Sequence, residues 1–234
     1  MFSTRWGPGD GSRTGASAAP YESFNLGAGV ADNPGAVRAN RNVLAARWEL
    51  APDHLIWMSQ VHGTRVHRVT APTSAPVPAT DALVTALPGF GLAVLVADCV
   101  PVLARDPRVG VIGVAHAGRS GAADGIGQGL VAAMAELGAD VTHLEVLLGP
   151  AICGRCYEVP PAMRDEVDSR LPGSAAVTAT GTAGLDLRAG LSRQLTDMGV
   201  RAVEVDGRCT REDPDLFSHR RSARTGRFAG VVRL

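Results

Sequence analysis

The sequence predicts an α/β protein that forms one large domain. A chain of 234 residues suits one sizeable core better than two small ones. Apolar runs of strand length occur at residues 91–97 and 109–115, and elsewhere apolar residues recur at helical spacing. Residues 1–19 are rich in small and polar residues. They predict a flexible or irregular N-terminus that precedes a single domain over residues 20–234.

The first third of the chain predicts one helix and two strands. Asn33 and Pro34 are typical of a helix start, with Asn as the N-cap and Pro at the first helical position. Residues 53–61 and 81–87 are the predicted strands. The proline-rich segment 71–80 joins them as a connection inside the domain.

The two strongest apolar runs pose a question of topology. Only a short turn at residues 105–108 separates them, and this spacing favours an antiparallel hairpin over a parallel crossover. A hairpin of these two runs would place their C-terminal ends far apart. A strand that ends near Ala97, followed by a bent return over residues 98–108, would bring those ends together. The sequence leaves this question open.

The second half of the chain predicts three helices and three strands. Helices are predicted over residues 123–137, from Pro160 and from a cap at Asp186, because apolar residues recur at helical spacing after each start. Gly138 and Gly199 follow two of them, where glycine commonly ends a helix. The predicted strands cover residues 144–148, 202–205 and 229–234.

Two histidines and a cysteine mark the ends of apolar runs. A thiolate from Cys99 and neutral imidazoles from His62 and His116 suit zinc and leave a fourth position open, as in catalytic zinc sites. Alternatively, His116 is a base for a Cys99 nucleophile without metal. The second histidine favours the metal, because a thiol nucleophile needs one base. Asp98 is a candidate proton shuttle or hydrogen-bond acceptor, or else a turn residue that closes the strand.

Two further motifs allow a functional and a simpler interpretation. Cys153 and Cys156 form a C-x-x-C, which indicates redox or zinc chemistry, but the chain has no second C-x-x-C to complete a structural zinc site. A loop with inert cysteines is the simpler interpretation. The arginine-rich segment 217–227 suits an anionic substrate, although a solvated basic loop has the same composition.

Composition excludes several functions. The formal net charge is zero, so we expect no nucleic acid or anionic membrane as partner. All 23 basic residues are Arg, which excludes a Schiff-base lysine and a P-loop lysine. The 4 cysteines do not suggest a disulfide framework, and no signal peptide or apolar run of membrane-spanning length is evident. We expect a soluble, cytoplasmic protein.

Short motifs occur in a fixed order from about residue 20 to the C-terminus. They are Asn25-Leu26-Gly27 with Asp32 and Asn40-Arg41, Ser59-Gln60-Val61-His62-Gly63, Asp81-Ala82-Leu83-Val84-Thr85, Ala97-Asp98-Cys99-Val100-Pro101-Val102, Ala115-His116-Ala117-Gly118, Leu148-Gly149-Pro150-Ala151-Ile152 with Cys156-Tyr157-Glu158-Val159, Cys209-Thr210, and Phe217-Ser218-His219-Arg220-Arg221 with Thr225-Gly226-Arg227. This set resembles the laccase-domain (YfiH-like) family, whose members are called polyphenol oxidoreductases, peptidoglycan editing factors or purine nucleoside phosphorylases.

The resemblance implies a fold, a cofactor and a reaction. The fold is a single α/β domain with mixed β-sheets flanked by helices. The cofactor is a zinc ion held by His62, Cys99 and His116. The substrates are a purine nucleoside and phosphate: adenosine, inosine, guanosine or methylthioadenosine is split to base and ribose-1-phosphate, and adenosine is also deaminated. Asp98 is a candidate acid for the deamination.

The resemblance also implies substrate-binding residues. Asn25, Arg41 and Arg220 match family motif positions and are assigned to substrate or phosphate. Two departures bear on this assignment. Many members read His-Ala-Gly-Trp-Arg-Gly, where this chain has Arg119 directly after the glycine and no tryptophan. The usual Ser-Tyr-Arg-Arg has His219 in place of the tyrosine.

Three alternatives remain at the level of sequence. One is a copper polyphenol oxidoreductase, which 6 histidines support poorly because redox copper clusters use many imidazoles. Another is a metal-free Cys–His hydrolase that acts on amides in cell-wall peptide editing. The last is a binding protein with structural zinc. The oligomeric state does not follow from the sequence.

Overall fold

Helices and strands alternate along much of the chain in the computed structural model, which describes residues 1–234. The five α-helices are α1 (Pro34–Arg47), α2 (Arg119–Ala123), α3 (Ile126–Glu136), α4 (Pro161–Arg170) and α5 (Leu187–Asp197). The eleven strands are β1 (Leu55–Ile56), β2 (Val66–Arg68), β3 (Ala82–Thr85), β4 (Gly91–Val96), β5 (Val100–Asp106), β6 (Val111–Ala117), β7 (Glu145–Leu148), β8 (Ala175–Val177), β9 (Ala183–Leu185), β10 (Ala202–Val205) and β11 (Phe228–Arg233).

The strands form two principal sheets and a separate hairpin. The large sheet has six strands in the order β10-β7-β5-β6-β3-β2, with parallel pairs at both edges and antiparallel pairs between them. The small sheet has three strands in the order β1-β4-β11, in which β1 is parallel and β11 antiparallel to β4. β8 and β9 pair only with each other. The predicted α/β fold with mixed sheets and flanking helices is therefore confirmed.

The two principal sheets pack face to face. Successive side chains of a strand point to opposite sides, so each sheet has one face toward the other sheet and one face toward helices. Leu92 and Val94 of β4 share one apolar cluster with Ile112 and Val114 of β6. The other face of the large sheet packs against α3 and α5, and the other face of the small sheet packs against α1. The molecule thus has four layers: helix, small sheet, large sheet, helices.

The position of β5 shows which segment forms the hairpin with β6. β4 belongs to the small sheet, and the hairpin partner of β6 is β5, which lies within the predicted bent return. Pro101, Arg105 and Asp106 interrupt the apolar pattern of β5, so the segment resembles a turn in sequence. In the fold, Arg105 pairs with Glu145 of the neighbouring strand. Residues 97–99 carry the chain from one sheet to the other.

The helix starts predicted at Asn33, Pro160 and Asp186 are confirmed, and the helix predicted over 123–137 is divided. The Asn33 side chain accepts hydrogen bonds from the Gly35 and Ala36 amides at 2.7 and 3.2 Å. The Asp186 carboxylate caps α5 in the same way. The pattern predicted one helix over 123–137, but α2 and α3 are separate. Gly125, with φ of +95°, turns the chain between them through a conformation that suits glycine.

The predicted strand over residues 53–61 is wrong in length. Only Leu55–Ile56 pairs as a strand, and Met58 forms an isolated bridge with Val77. Beyond that bridge the chain leaves the sheet, so His62 lies on a loop. Burial of Trp57 and Met58 in the core explains why the sequence keeps a strand-like apolar pattern there.

The N-terminal nineteen residues contain no helix and no strand longer than one bridge. That bridge pairs Phe2 with Gly230 of β11, and the Ser3 amide donates to the Ala229 carbonyl at 2.9 Å. Both Phe2 and Ser3 are buried. The first residues therefore extend the small sheet, and the irregular conformation begins after them. No helix in the structure is long and apolar enough to span a membrane.

Candidate functional site

His62, Cys99 and His116 come together in space. Their nitrogen and sulfur ligand atoms all lie within 4.8 Å of one another. The two imidazole rings have centroids 4.6 Å apart and meet edge to face at 68°. His116 is buried, Cys99 is half-buried and His62 is exposed. The set is thus held by the fold on one side and open on the other.

The sheet topology explains this convergence. Cys99 directly precedes β5, and His116 is the penultimate residue of β6. Because the strands are antiparallel, the start of β5 lies beside the end of β6, and Pro101 is the register partner of His116. His62 reaches the same place from the loop after residue 61. Its side chain lies against Gly118, which follows β6.

Asp81 organises this site, and the sequence analysis did not assign it a role. Its carboxylate is fully buried and lies 2.9 Å from Nδ1 of His116. It also accepts hydrogen bonds from the amides of Val61, His62 and Gly63 at 2.9–3.2 Å. Asp81 therefore connects the two histidines. The sequence carries one signal for Asp81. It is the first residue of its motif, at a position where no helix or turn follows that an aspartate would cap.

The contact with Asp81 determines the tautomer of His116. A carboxylate that accepts backbone amides is an acceptor, so Nδ1 of His116 carries the hydrogen and donates it. In the neutral ring, Nε2 then has the lone pair that a metal ligand needs. An imidazole oriented by a carboxylate is the usual arrangement behind a metal-binding histidine.

Two residues of the site have backbone conformations that L-residues seldom adopt. His62 has φ of +61° and Asp98 has φ of +98°. The three amides held by Asp81 over-determine the turn at His62, which offsets the cost of this conformation. Gly118 provides the space for the ring: a Cβ at that position would lie 2.5 Å from Nδ1 of His62 and 3.3 Å from Sγ of Cys99.

Close contact within the cluster shifts the pKa values of Cys99 and His116. Burial opposes ionisation of Cys99, but His116 and then His62 outweigh it and lower the pKa of the thiol to about 6. Burial also opposes protonation of His116, yet the Asp81 carboxylate and the Cys99 sulfur raise the pKa of its imidazole to about 9. Burial raises the pKa of Asp81, while His116 and the amides of Gly63 and Val61 hold it below its usual value. Without a cation, the site is a thiolate beside an imidazolium.

The donor set fits a single zinc ion. One thiolate and two imidazoles within reach of one point are a zinc ligand set with a fourth position free. The Asp81–His116 hydrogen bond supplies the outer support that zinc-binding histidines usually have. A multi-copper centre does not fit, because it needs several imidazole clusters. In this chain only His62 and His116 belong to a group of side chains able to hold a metal.

A cavity of about 560 Å³ adjoins these ligands. This volume is in the range of sites for small organic ligands. The wall includes His62, Cys99 and His116. It also includes four of the arginines, which are Arg41, Arg119, Arg220 and Arg227. The cavity therefore combines a metal-ligand set with strong positive charge.

Arg41 and Arg227 are held in place by contacts with the protein. The Arg41 guanidinium lies 4.2 Å above the Trp57 ring, and its Nε donates to the Leu26 carbonyl at 2.8 Å. Arg227 donates to the carbonyls of Thr225 and Gly226 at 3.0 and 2.9 Å. Burial lowers the pKa of Arg41 to about 10, so it stays charged at neutral pH.

Arg119, Tyr157 and Arg220 form another part of the wall. Arg220 lies 4.9 Å from the centre of the Tyr157 ring and donates to the Glu158 carbonyl at 2.9 Å. Arg119 begins α2 and lines the cavity, although its position in the motif departs from the family pattern. Neither Tyr157 nor Arg227 has a role predicted from the sequence. His219 also lines the cavity.

Two predicted site residues have positions that favour a supporting role. Asn25 is fully buried behind the cavity wall, where its side chain bonds Gly27 and Asp32 and accepts from the Arg227 amide. It shapes the glycine loop instead of lining the cavity. Asp98 does line the cavity, but its two oxygens accept hydrogen bonds from Thr210 Oγ1 and the Arg220 amide, both at 2.6 Å. It fastens the turn before Cys99 to two C-terminal loops.

Comparison with known proteins shows the family. A family model described as multi-copper polyphenol oxidoreductase laccase matches residues 3–234. The chain belongs to this family. Among solved structures, it is similar to YfiH of Bacillus licheniformis, a hypothetical protein, with a TM-score of 0.88 and 29% identity, covering 100% of this chain and 91% of that one. It is also similar to YlmD of Geobacillus stearothermophilus, with a TM-score of 0.89 and 32% identity, covering 98% and 89%.

Two relatives found by sequence comparison carry the same name. A Mycobacterium tuberculosis protein called purine nucleoside phosphorylase is 54% identical over 218 residues, 93% of this chain and 87% of the relative. A Corynebacterium glutamicum protein of the same name is 51% identical over 234 residues, 99% of this chain and 92% of the relative. The family resemblance predicted from the motifs is therefore confirmed.

Proposed function

We propose that this protein is a zinc-dependent purine nucleoside phosphorylase that also deaminates adenosine. The observation that carries the proposal is the cavity in which His62, Cys99 and His116 face four arginines. A nucleoside and a phosphate need a pocket of this size with concentrated positive charge. The relatives named purine nucleoside phosphorylase, at about half identity over nearly the whole chain, support the same reaction.

The arginines account for the phosphate substrate. Because the chain has no lysine, an anion in this cavity depends on guanidinium groups, which bind phosphate oxygens in pairs. Arg220 is the exposed member of the four, and both Arg119 and Arg220 are close enough to Tyr157 to affect the pKa of its phenol. We assign phosphate to them, and we assign Arg41 and Arg227 to the nucleoside side of the cavity.

In phosphorolysis, a phosphate oxygen forms a bond to C1′ of the ribose while the bond from C1′ to the purine nitrogen breaks. The purine leaves with the electron pair and takes up a proton, and the products are the free base and ribose-1-phosphate. Tyr157 lines the cavity, and burial raises the pKa of its phenol, so it stays protonated and able to donate. The arginines hold the phosphate in line with C1′ and balance its charge.

His62, Cys99 and His116 would hold the zinc ion. When bound there, zinc supplies Lewis-acid polarisation of a substrate oxygen or of water. Asp81 keeps His116 in the ligating tautomer and holds the His62 loop through three amides. In adenosine deamination, a water oxygen replaces the 6-amino group and ammonia leaves. The occupied oxygens of Asp98 make it a positioning residue in this scheme.

A metal-free hydrolase is the second candidate, since Cys99, His116 and Asp81 are ordered as a nucleophile, a base and an orienting carboxylate. His62 disfavours the hydrolase, because a second imidazole beside the thiolate has no role in such a triad. Amides of cell-wall peptides would be its substrates. A copper polyphenol oxidase is not supported by the histidine positions.

The test is incubation of zinc-loaded protein with adenosine, with and without phosphate, followed by mass spectrometry of the products. Adenine and ribose-1-phosphate in the phosphate sample, and inosine in either sample, are the expected products. Cys99→Ala should abolish them. His143→Ala is the matched control, because His143 is on the surface and pairs with Asp140. Activity that resists chelation and is lost on alkylation, without nucleoside products, would support the hydrolase instead.

A further inference from the structure

We propose that Cys153, Cys156, Cys209 and Glu212 form a second metal site, which binds zinc and has a structural role. Their three sulfur atoms and a carboxylate oxygen all lie within 4.8 Å of one another. These residues belong to neither the three-ligand site nor the cavity wall. The proposal does not depend on the reaction at the first site.

Two matching turns build this second site. Cys153 and Cys156 are three residues apart, and so are Cys209 and Glu212. In the first turn the Cys156 amide donates to the Cys153 carbonyl at 2.9 Å, and in the second the Glu212 amide donates to the Cys209 carbonyl at 3.1 Å. Facing turns of this kind present two ligands each in structural zinc sites. Because the fourth ligand is Glu instead of Cys, a search for paired C-x-x-C motifs does not find the site.

Backbone contacts hold the two turns together. Ala151 and Cys209 form a parallel bridge, and the Thr210 amide donates to the Ala151 carbonyl at 3.1 Å. The Cys153 amide points at the Cys209 sulfur at 3.4 Å. This amide-to-sulfur contact is typical of a backbone that supports a thiolate. The ligands are therefore positioned before any cation binds.

The ligand chemistry favours zinc. Three thiolates and one carboxylate are soft and borderline donors that suit zinc better than magnesium or calcium. With zinc–sulfur bonds of about 2.3 Å, tetrahedral sulfur atoms are about 3.8 Å apart, so the ligands need to approach by less than about 1 Å. All four cysteines of the chain are free thiols in the structure. Four protein ligands close the coordination sphere, which indicates a structural role.

A cation here would support one wall of the cavity. Ile152 precedes the first turn and Tyr157 follows it, and both line the cavity. Thr210, beside Cys209, donates to Asp98 at 2.6 Å. Arg211 donates to the Cys156 carbonyl at 3.2 Å and adds a contact between the turns. Zinc at the second site would therefore keep Tyr157 and the turn before Cys99 in place.

The first experiment measures metal content in the full chain, purified under reducing conditions with zinc in the medium. Wild type should retain about two zinc ions per chain, and Cys99→Ala and Cys209→Ala should each retain about one. Cobalt gives a second readout, because its thiolate charge-transfer band grows with the number of thiolates. The first cluster has one thiol and the second has three. Cys99→Ala should therefore keep about three quarters of the wild-type band. Cys209→Ala should keep less than that.

Two outcomes would overturn the proposal. One is a Cys99→Ala protein that binds no zinc and shows no cobalt–thiolate band. The other is a wild-type protein whose mass, measured without reductant, shows a disulfide among Cys153, Cys156 and Cys209 in place of zinc. Failure of nucleoside turnover affects neither measurement, so the two proposals fail separately.

Glu212 allows a test that leaves the core intact, because it is exposed. Glu212→Cys completes a second C-x-x-C and should slow the loss of zinc to a chelator by about tenfold or more, with a cobalt band about one third stronger from this site. Glu212→Gln should speed that loss by a similar factor. Equal rates of zinc loss in wild type, Glu212→Cys and Glu212→Gln would exclude Glu212 as a ligand.

Discussion

The two ligand clusters of this protein use similar atoms in opposite surroundings. At the first, one thiol lies beside two imidazoles and faces a cavity that four arginines also line. At the second, three thiols and a carboxylate lie between two turns, away from the cavity, with Cys156 and Cys209 packed on Ile152. The difference teaches that ligand number and access decide the role of a site more than ligand type. Three ligands and an open side suit chemistry, and four ligands suit structure.

The same contrast appears in the thiol pKa values. Imidazoles lower the pKa of Cys99 to about 6 against the effect of burial. Burial, then Glu212 and the neighbouring thiols, raise the pKa of Cys156 to about 12. A thiol beside cationic partners ionises by itself, whereas thiols beside other thiols and a carboxylate need a cation to do so. The Cys99 thiol is thus ionised at neutral pH before metal binds, and the Cys156 thiol is not.

Substitution of Cys99 should have the largest effect and should separate the clusters. In Cys99→Ala we expect nucleoside turnover to fall by about a thousandfold or more, because the ligand set loses its thiolate. Cys209→Ala should lose its own zinc but keep the metal of the first site. Product analysis and zinc content of the two variants check this. Equal loss of turnover and of first-site metal in both would show that the clusters are not independent.

Asp81→Asn tests whether the first cluster depends on its buried carboxylate. An amide offers one acceptor oxygen where the carboxylate offers two, so some of the amides of Val61, His62 and Gly63 lose their partner. We expect metal affinity at the first site to fall about 10- to 100-fold, and the free energy of unfolding to fall by about 1–3 kcal/mol. Metal titration and urea unfolding measure the two effects.

The matched control for Asp81→Asn is Glu212→Gln, the same carboxylate-to-amide change at the other cluster. It should leave the first-site affinity unchanged. If Asp81→Asn binds zinc at the first site as tightly as wild type, the role assigned to Asp81 is wrong.

Gly118→Ala tests the space reserved for the His62 ring. The backbone of Gly118 has φ of −73°, which alanine adopts freely, so the cost comes from the close approach of the new Cβ to the His62 ring and to Sγ of Cys99. We expect about a tenfold loss of first-site metal affinity with little change in thermal stability. Gly207→Ala is the control, since nothing lies within 4 Å of a Cβ there. Similar metal affinities in both variants would contradict the expectation.

Alkylation of chelator-treated protein should show the smallest effect. The folded pKa of Cys99 is lowered, so its thiolate is present above that pKa and is lost as the pH falls through it. The rate at which iodoacetamide labels Cys99 should therefore rise from about pH 5 to about pH 7 and then level off. Cys156 should stay protonated and slow over that range. Peptide mapping by mass spectrometry gives both rates, and faster labelling of Cys156 at neutral pH would reverse the comparison.

Local patterns determined much of this protein. The N-caps Asn33 and Asp186 and the apolar period of the helices act over a few residues, so the sequence alone specifies those elements. The ordered motifs identified the family, and His62, Cys99 and His116 stood out because each follows an apolar run. Continuous apolar runs likewise indicated the buried strands β4 and β6.

Only the tertiary structure decided what depends on distant contacts. β5 is a strand because β6 and β7 pair with it on both sides, which overrides its proline and charged residues. Asp81 gains its role from partners on the loop before it and on β6, and Glu212 contacts the Cys156 thiol, 56 residues earlier in the chain. These groups carry no local pattern, because hydrogen bonds and metal sites are set by positions in space. Pairing of β3 with β6 and the bridge between Ala151 and Cys209 bring those positions together.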